Sequence, residues 1–279
     1  MGVANKILNV CERLVFTFKR KKMIPIVKTL GEDKSLTGKV AFVTGGSGGI
    51  GYSISEALIQ RGCKVIIAGT NEKKLQENCR RLGEDAQYIT LDLSNISSFE
   101  MKLTDAIEKA TDGKIDILIN CAGVFSTGSF LSAKEKEFDK VFDINVKGTY
   151  FWSGYVANHM ISKHVKGHIL NVSSSSGIRP AKTPYQMSKW AINGLTKGMA
   201  AELIPYGIVV NGIAPGPTAT SMLGITENSS IDNPNPAGRY VLPEEVASLA
   251  VFMVSDSGNM IVGDTFYITG GSGTISLDT

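Results

Sequence analysis

The sequence is short of histidine, has no paired cysteine spacing and contains no long apolar run. Three histidines (His159, His164, His168) are thin material for a metal hydrolase, and no metal site is expected. Four cysteines (Cys11, Cys63, Cys79, Cys121) show none of the close spacings of a disulfide framework or zinc site. That usage fits a reducing interior and predicts a cytoplasmic protein. No stretch reaches about 18 uninterrupted apolar residues, which removes a conventional membrane span. With 43% hydrophobic and 20% charged residues, a largely disordered chain or a fibre is also excluded. The net charge of +3 is unevenly spread. Residues 1–38 carry eight Lys/Arg against three acids, a local +5, while the other 241 carry 21 against 23, or −2. A nucleic-acid binder shows its basic patch on the folded body, so no nucleic-acid partner is expected.

What is present is alternation. From Lys39 onward, short β-branched runs at 40–44, 64–68, 88–92, 115–120, 168–173, 208–213 and 265–269 read as strands. Helical patterns near 50–61, 71–82, 95–111, 134–163, 184–204 and 243–254 separate them. Val- and Ile-rich strands without polar alternation are buried on both faces, as in a parallel sheet covered by helices. The expected fold is a single doubly wound Rossmann-type α/β domain, 36–279, on a seven-stranded parallel sheet. Residues 1–35 form a separate basic, amphipathic extension. In it Ile7, Cys11, Leu14 and Phe18 make an apolar stripe ahead of Lys19–Lys22. Packing on the body or a neighbouring subunit, or contact with an anionic membrane surface, would each suit that stripe.

The first strand empties into Thr44-Gly45-Gly46-Ser47-Gly48-Gly49-Ile50-Gly51 and then a helical pattern. Glycines there permit a tight turn and bring backbone N–H groups close to a pyrophosphate, which the helix N-terminus then faces. Gly45, Ser47, Gly49, Ile50 and Gly51 are therefore candidate dinucleotide-binding positions. The second strand ends Ala68-Gly69-Thr70-Asn71. The carboxylate that often receives ribose hydroxyls is missing from that tip. Nothing there repels a 2′-phosphate, and Thr70 and Asn71, with Lys73 or Lys74, could bind one. NADP is preferred over NAD on this ground.

Tyr185 and Lys189 are four apart in a helical stretch and share one face. A phenol is ordinarily a weak base near neutral pH, and a neighbouring ammonium favours its ionised form. Such a tyrosine can exchange a proton with a substrate oxygen while hydride passes at the adjacent carbon. Just upstream a strand ends in Ser173-Ser174-Ser175-Ser176-Gly177, where open α/β sheets place their ligands. One of these hydroxyls could bond the reacting oxygen. Arg179 and Lys182, between the serines and Tyr185, are expected near the pocket mouth, as solvated surface charges or as a preference for an acidic substrate. Met222 and Leu223 are expected either to cover an apolar substrate or simply to pack.

In this order the motifs resemble the classical short-chain dehydrogenases/reductases. Thr44–Gly51 matches TGxxxGxG, and Asn120-Cys121-Ala122-Gly123 is similar to NNAG with cysteine at the second position. Asn145, Ser174, Tyr185, Lys189, Pro215-Gly216 with Thr220, and Thr269-Gly270-Gly271 continue the resemblance over about residues 36–273. The resemblance implies a catalytic set of Asn145, Ser174, Tyr185 and Lys189, with Asn145 holding a relay water and Lys189 binding the nicotinamide ribose. Alignment on Asn-Val-Ser-Ser selects Ser174, with Ser173 as runner-up. Asp92 and Leu93 would contact adenine. Asn120, Ala122 and Gly123 would line the adenosine ribose, and Ile213, Pro215, Gly216 and Thr218 the nicotinamide. Two departures stand out: Cys121, and a serine-to-tyrosine spacing of 11 that is one or two residues short of the family's usual one. The implied activity is NAD(P)-dependent interconversion of a secondary alcohol and a ketone. The alternatives are a 3-oxoacyl-carrier-protein reductase and a nucleotide-sensing protein without turnover. The resemblance also implies a homo-oligomer, tetramer or dimer, built on the 134–163 and 184–204 helices.

Overall fold

The computed structural model describes residues 35–225, 229–233 and 235–275. Apart from Ser35, the expected N-terminal extension lies outside the described residues. Seven strands are β1 (Val40–Thr44), β2 (Lys64–Gly69), β3 (Ala86–Thr90), β4 (Ile117–Asn120), β5 (His168–Val172), β6 (Val209–Pro215) and β7 (Thr265–Ile268). All pair in parallel, in the order β3-β2-β1-β4-β5-β6-β7. The α-helices are α1 (Gly49–Gln60), α2 (Glu72–Leu82), α3 (Phe99–Lys109), α4 (Glu135–Phe142), α5 (Thr149–Ser162), α6 (Pro184–Leu203) and α7 (Pro243–Met253).

Successive residues of each central strand serve opposite layers. Phe42, Ile66, Leu118, Ile169 and Val210 pack with Phe99, Trp152, Met160 and Leu203 of α3, α5 and α6. Val43, Ile67, Ile119, Leu170 and Ile213 pack with Ile54, Leu58, Leu75, Val246 and Ala250 of α1, α2 and α7. Trp152 anchors the first layer, its ring 5.0 Å from that of Phe42 and 5.3 Å from that of Phe99. The predicted single α/β domain with a seven-stranded parallel sheet is the fold observed. Because the chain leaves β1 and β4 in opposite directions, a crevice opens at their carboxyl ends. Thr44, Asn120 and Asn171 stand side by side there in register.

Several expected boundaries shift by one or two residues, and two differences bear on the site. The third strand runs from Ala86 to Thr90, so Asp92 lies beyond its end in the following turn. As an edge strand it leaves Gln87 exposed, and its apolar signal is diluted. The segment read as one helix over 134–163 is α4 and α5 joined by a π turn, Asp143–Gly148. A π turn inserts one residue into the helical repeat and is frequent at functional sites. Gly148 ends it where a Cβ would strike the Leu93 carbonyl.

Among the described residues no helix is long and apolar enough to cross a membrane, and no cluster of three His, Cys, Asp or Glu could hold a metal. At the opposite end of the sheet from the crevice, burial pushes His168 down from about 6.5 to about 4, with Asp256 opposing and Lys39 assisting. The unfolded chain therefore binds this proton at a higher pH than the native one. Stability present above about pH 6.5 is lost as pH falls towards 4, by up to about 1.4 kcal/mol per unit. Thermal melts between pH 7 and 4.5 should show a shallower acid decline in His168→Gln than in the parent; parallel curves would contradict this.

Candidate active site

The glycine turn is built for close approach. Gly45 has φ +69°, a left-handed conformation, and a Cβ there would stand 2.7 Å from the Ala122 nitrogen. At Gly51 a Cβ would collide with the Gly45 carbonyl oxygen. Helix α1 has Gly48 as its N-cap, which offers no side-chain acceptor, and its first turn holds no acid. Its leading N–H groups are thus left to an external anion, and the turn fits a pyrophosphate. Gly49 faces Thr220, whose Cγ2 lies 2.8 Å from where a Cβ would be, so the loop after β6 reaches the glycine turn. Asn78, which the sequence reading missed, is buried and donates to the Gly46 carbonyl at 3.3 Å.

At the tip of β2, Thr70 is exposed, and Asn71 caps α2 by accepting the Lys74 N–H at 3.1 Å. Asp92 is exposed and accepts both the N–H and hydroxyl of Ser94, while Leu93 is buried beside it. Thr44 Oγ1 accepts the N–H groups of Cys121 and Ala122, fixing the turn after β4. The Asn120 side chain is buried at the end of β4. Its Nδ2 donates to Ser153 Oγ at 2.7 Å and Asn171 Oδ1 at 2.8 Å. Burial pushes the Cys121 thiol up to about 12, Lys189 pulling the other way, as befits a packed filler. Beyond β6, Thr218 is buried and donates to the Gly216 carbonyl at 3.0 Å. Gly216 itself approaches Thr269 too closely for any side chain.

Tyr185 is held by the start of α6. Thr183 and Gln186 form a capping box with Pro184 in the first turn, which sets where the helix begins. The Tyr185 N–H donates to Ser126 Oγ at 3.2 Å, a buried serine that no local pattern distinguishes. One turn on, Lys189 is buried, with Nζ 2.9 Å from the Val172 carbonyl and 5.7 Å from the Tyr185 ring centroid. Gly123 lies against both Asn145 and Lys189. The two candidate serines differ. Ser173 is buried and donates to the Lys189 carbonyl, whereas Ser174 is half-buried and opens the 3₁₀ turn Ser175–Ile178 by accepting the Ser176 N–H.

Asn145 is 2% exposed and its amide is committed. Oδ1 accepts the Val124 N–H at 2.8 Å, and Nδ2 donates to the Val124 carbonyl at 2.9 Å and to Ser188 Oγ at 3.1 Å. Ser188, also unflagged in the sequence, passes the chain on to the Tyr185 carbonyl at 2.7 Å. The Tyr185 ring has an apolar, open neighbour: the Phe125 ring is 5.0 Å from it, and Phe125 is 57% exposed. Arg179 is engaged by the segment after β7. It donates to Ser272 Oγ at 2.7 Å and packs on Gly273 near the carboxyl end, while Lys182 is exposed.

Comparison with known proteins agrees with this geometry. The short chain dehydrogenase family model matches residues 39–229. A 3-oxoacyl-[acyl-carrier-protein] reductase of Rickettsia felis is 36% identical over 241 residues, covering 85% of this chain and 97% of the relative. A galactitol 2-dehydrogenase of Agrobacterium fabrum is 32% identical over 256 residues, covering 85% and 98%. Among solved structures, a 3-ketoacyl-(acyl-carrier-protein) reductase from Brucella melitensis complexed with NADH superposes with a TM-score of 0.78. It is 28% identical, with 85% of this chain and 99% of that one covered. The chain belongs to the classical short-chain dehydrogenases/reductases, NAD(P)-dependent oxidoreductases that act on CH–OH groups.

Proposed function

We propose that this enzyme reduces a 3-oxoacyl thioester carried on an acyl carrier protein, with NADP(H) preferred over NAD(H). The observation that carries the reading is similarity along nearly the whole length of reductases with that activity, 97% of the Rickettsia felis relative. The apolar opening around Tyr185 and Phe125 suits an acyl chain better than a polyol, although the galactitol 2-dehydrogenase likeness keeps polyol oxidation as the second reading. The bare tip of β2, with Thr70, Lys73 and Lys74 exposed, supports the coenzyme preference.

The nicotinamide, when bound, supplies the hydride for the carbonyl carbon. Tyr185 gives its hydroxyl proton to the substrate oxygen, which leaves as an alcohol. Ser174 orients that oxygen, since Ser173 is occupied with the Lys189 carbonyl. An ammonium has three donors, and one goes to Val172. Two remain on Lys189 for the tyrosine oxygen and the nicotinamide ribose. With its amide committed, Asn145 serves a proton relay through its backbone carbonyl. Gly45, Ser47, Gly49, Ile50 and Gly51 hold the pyrophosphate. Asp92, Leu93, Ala122 and Gly123 line the adenosine end, and Pro215, Gly216 and Thr218 the nicotinamide end. The exposed Tyr150, Phe151 and Trp190 on α5 and α6 suit a homo-oligomeric interface.

NADPH consumption against a panel of 3-oxoacyl thioesters, ketones and sugars tests the reading, with NADH in parallel. The kcat/KM for carrier-bound thioester should exceed the others by about tenfold or more, a selectivity of about 1.4 kcal/mol. Turnover of polyols alone would overturn the substrate, and consumption of neither coenzyme with any carbonyl would point to a sensor without turnover.

A further inference from the structure

Beside Phe125 lies a groove of about 320 Å³ that the proposed chemistry does not use. Its apolar wall is Val124, Phe125 and Val141, and its other side is Lys134, the N-cap of α4, with Lys136 and Lys140 from the helix itself. None of these lysines is within ion-pair distance of an acid among the described residues. The one acid lining the groove, Glu137, is already engaged. Its Oε1 accepts the N–H groups of Thr127 at 3.0 Å and Gly128 at 3.2 Å, which ties the loop after β4 to α4. Glu135 and Asp139 lie on the same helix but do not line the groove. Three lysines thus line the groove with one carboxylate already held by backbone donors, a net positive rim over an apolar wall.

Phe125 belongs to both places, packing edge-on against Tyr185 and lining the groove. A ligand with its reacting carbonyl at Tyr185 and a tether passing Phe125 would bring the tether's far end among the lysines. An anionic end would suit that position, and so would an amphipathic linker along Val124 and Val141. We infer that this groove takes the phosphate end of a 4′-phosphopantetheine arm, so that Lys134, Lys136 and Lys140 determine the preference for pantetheine-borne thioesters. The inference rests on the 3-oxoacyl thioester reading above. The arm occurs on coenzyme A and on carrier proteins, and the phosphate is common to both.

The test compares one 3-oxoacyl group on four carriers: N-acetylcysteamine, free phosphopantetheine, coenzyme A and acyl carrier protein. In a Lys134→Gln/Lys136→Gln/Lys140→Gln variant, KM should rise about tenfold or more for the three phosphate-bearing substrates. The N-acetylcysteamine thioester should be unaffected, and kcat should hold for all four. Added salt should raise the parent's KM for the phosphate-bearing substrates only, because the lysines are exposed. An equal change for every substrate, or none, overturns the inference. A rise confined to the carrier protein also overturns it, because the contact would then be to the protein surface. Failure of the parent to turn over any thioester removes the substrate reading itself, and with it the groove's ligand; the parent alone reveals that case.

Discussion

Tyr185→Phe is expected to lower kcat about 10³-fold while leaving coenzyme affinity within about twofold. The substitution removes one oxygen and keeps the ring, so the packing against Phe125 at 5.0 Å and the position over Lys189 persist. The start of α6 is set by Thr183, Gln186 and the Ser126 bond to the Tyr185 N–H, none of which involves the phenol oxygen. Melting temperature should therefore be unchanged. The coenzyme contacts proposed above, at the glycine turn and the ends of the strands, are untouched too. A purely structural tyrosine would give the opposite pattern, a stability loss with activity kept. Steady-state kinetics, coenzyme titration by fluorescence and a thermal melt on the same preparation distinguish the two. Near-normal turnover would sink the assignment of the proton donor.

The glycine turn and the Tyr185–Lys189 spacing could be read from the sequence because each is a local pattern. One places left-handed backbone between a strand and a helix, and the other puts two side chains on one face. The sheet was legible for the same reason, its central strands being buried on both sides. Contacts between distant segments were not. Nothing around Ser126 announces that its hydroxyl will meet the Tyr185 N–H 59 residues later, and Asn78 gives no sign of supporting Gly46. Arg179 read as a charge at the pocket mouth because its neighbours in sequence are Ser174 and Tyr185. Its bond to Ser272, 93 residues away, could not be foreseen from those neighbours. The bonds from Asn120 to Ser153 and Asn171, 33 and 51 residues away, were equally hidden. The π turn escaped because hydrophobic periodicity averages over 134–163. A single inserted residue moves that average little, yet it decides where Asn145 points.

Asn145 accordingly gives the second large effect. Its buried amide makes three bonds, two to the backbone of Val124 and one to Ser188. Leucine has similar bulk and none of that bonding, so Asn145→Leu strands the Val124 N–H and C=O together. Each buried polar group left without a partner costs about 1–3 kcal/mol, and with Val124 half-buried a loss of about 2 kcal/mol is expected in urea unfolding. The damage should also reach the chemistry. Val124 is two residues from Ser126, which holds the Tyr185 N–H, and Ser188 bonds the Tyr185 carbonyl. Loss of Asn145 therefore loosens the tyrosine from two sides. Asn145→Asp separates the contributions: it keeps an acceptor for the Val124 N–H and loses the donors to the Val124 carbonyl and Ser188. Its stability should fall between those of the parent and the leucine variant, and kcat should fall in the same order. If Asn145→Leu unfolds at the parent's urea midpoint while kcat collapses, Asn145 acts on the substrate or its proton directly and the strut described here is not its role.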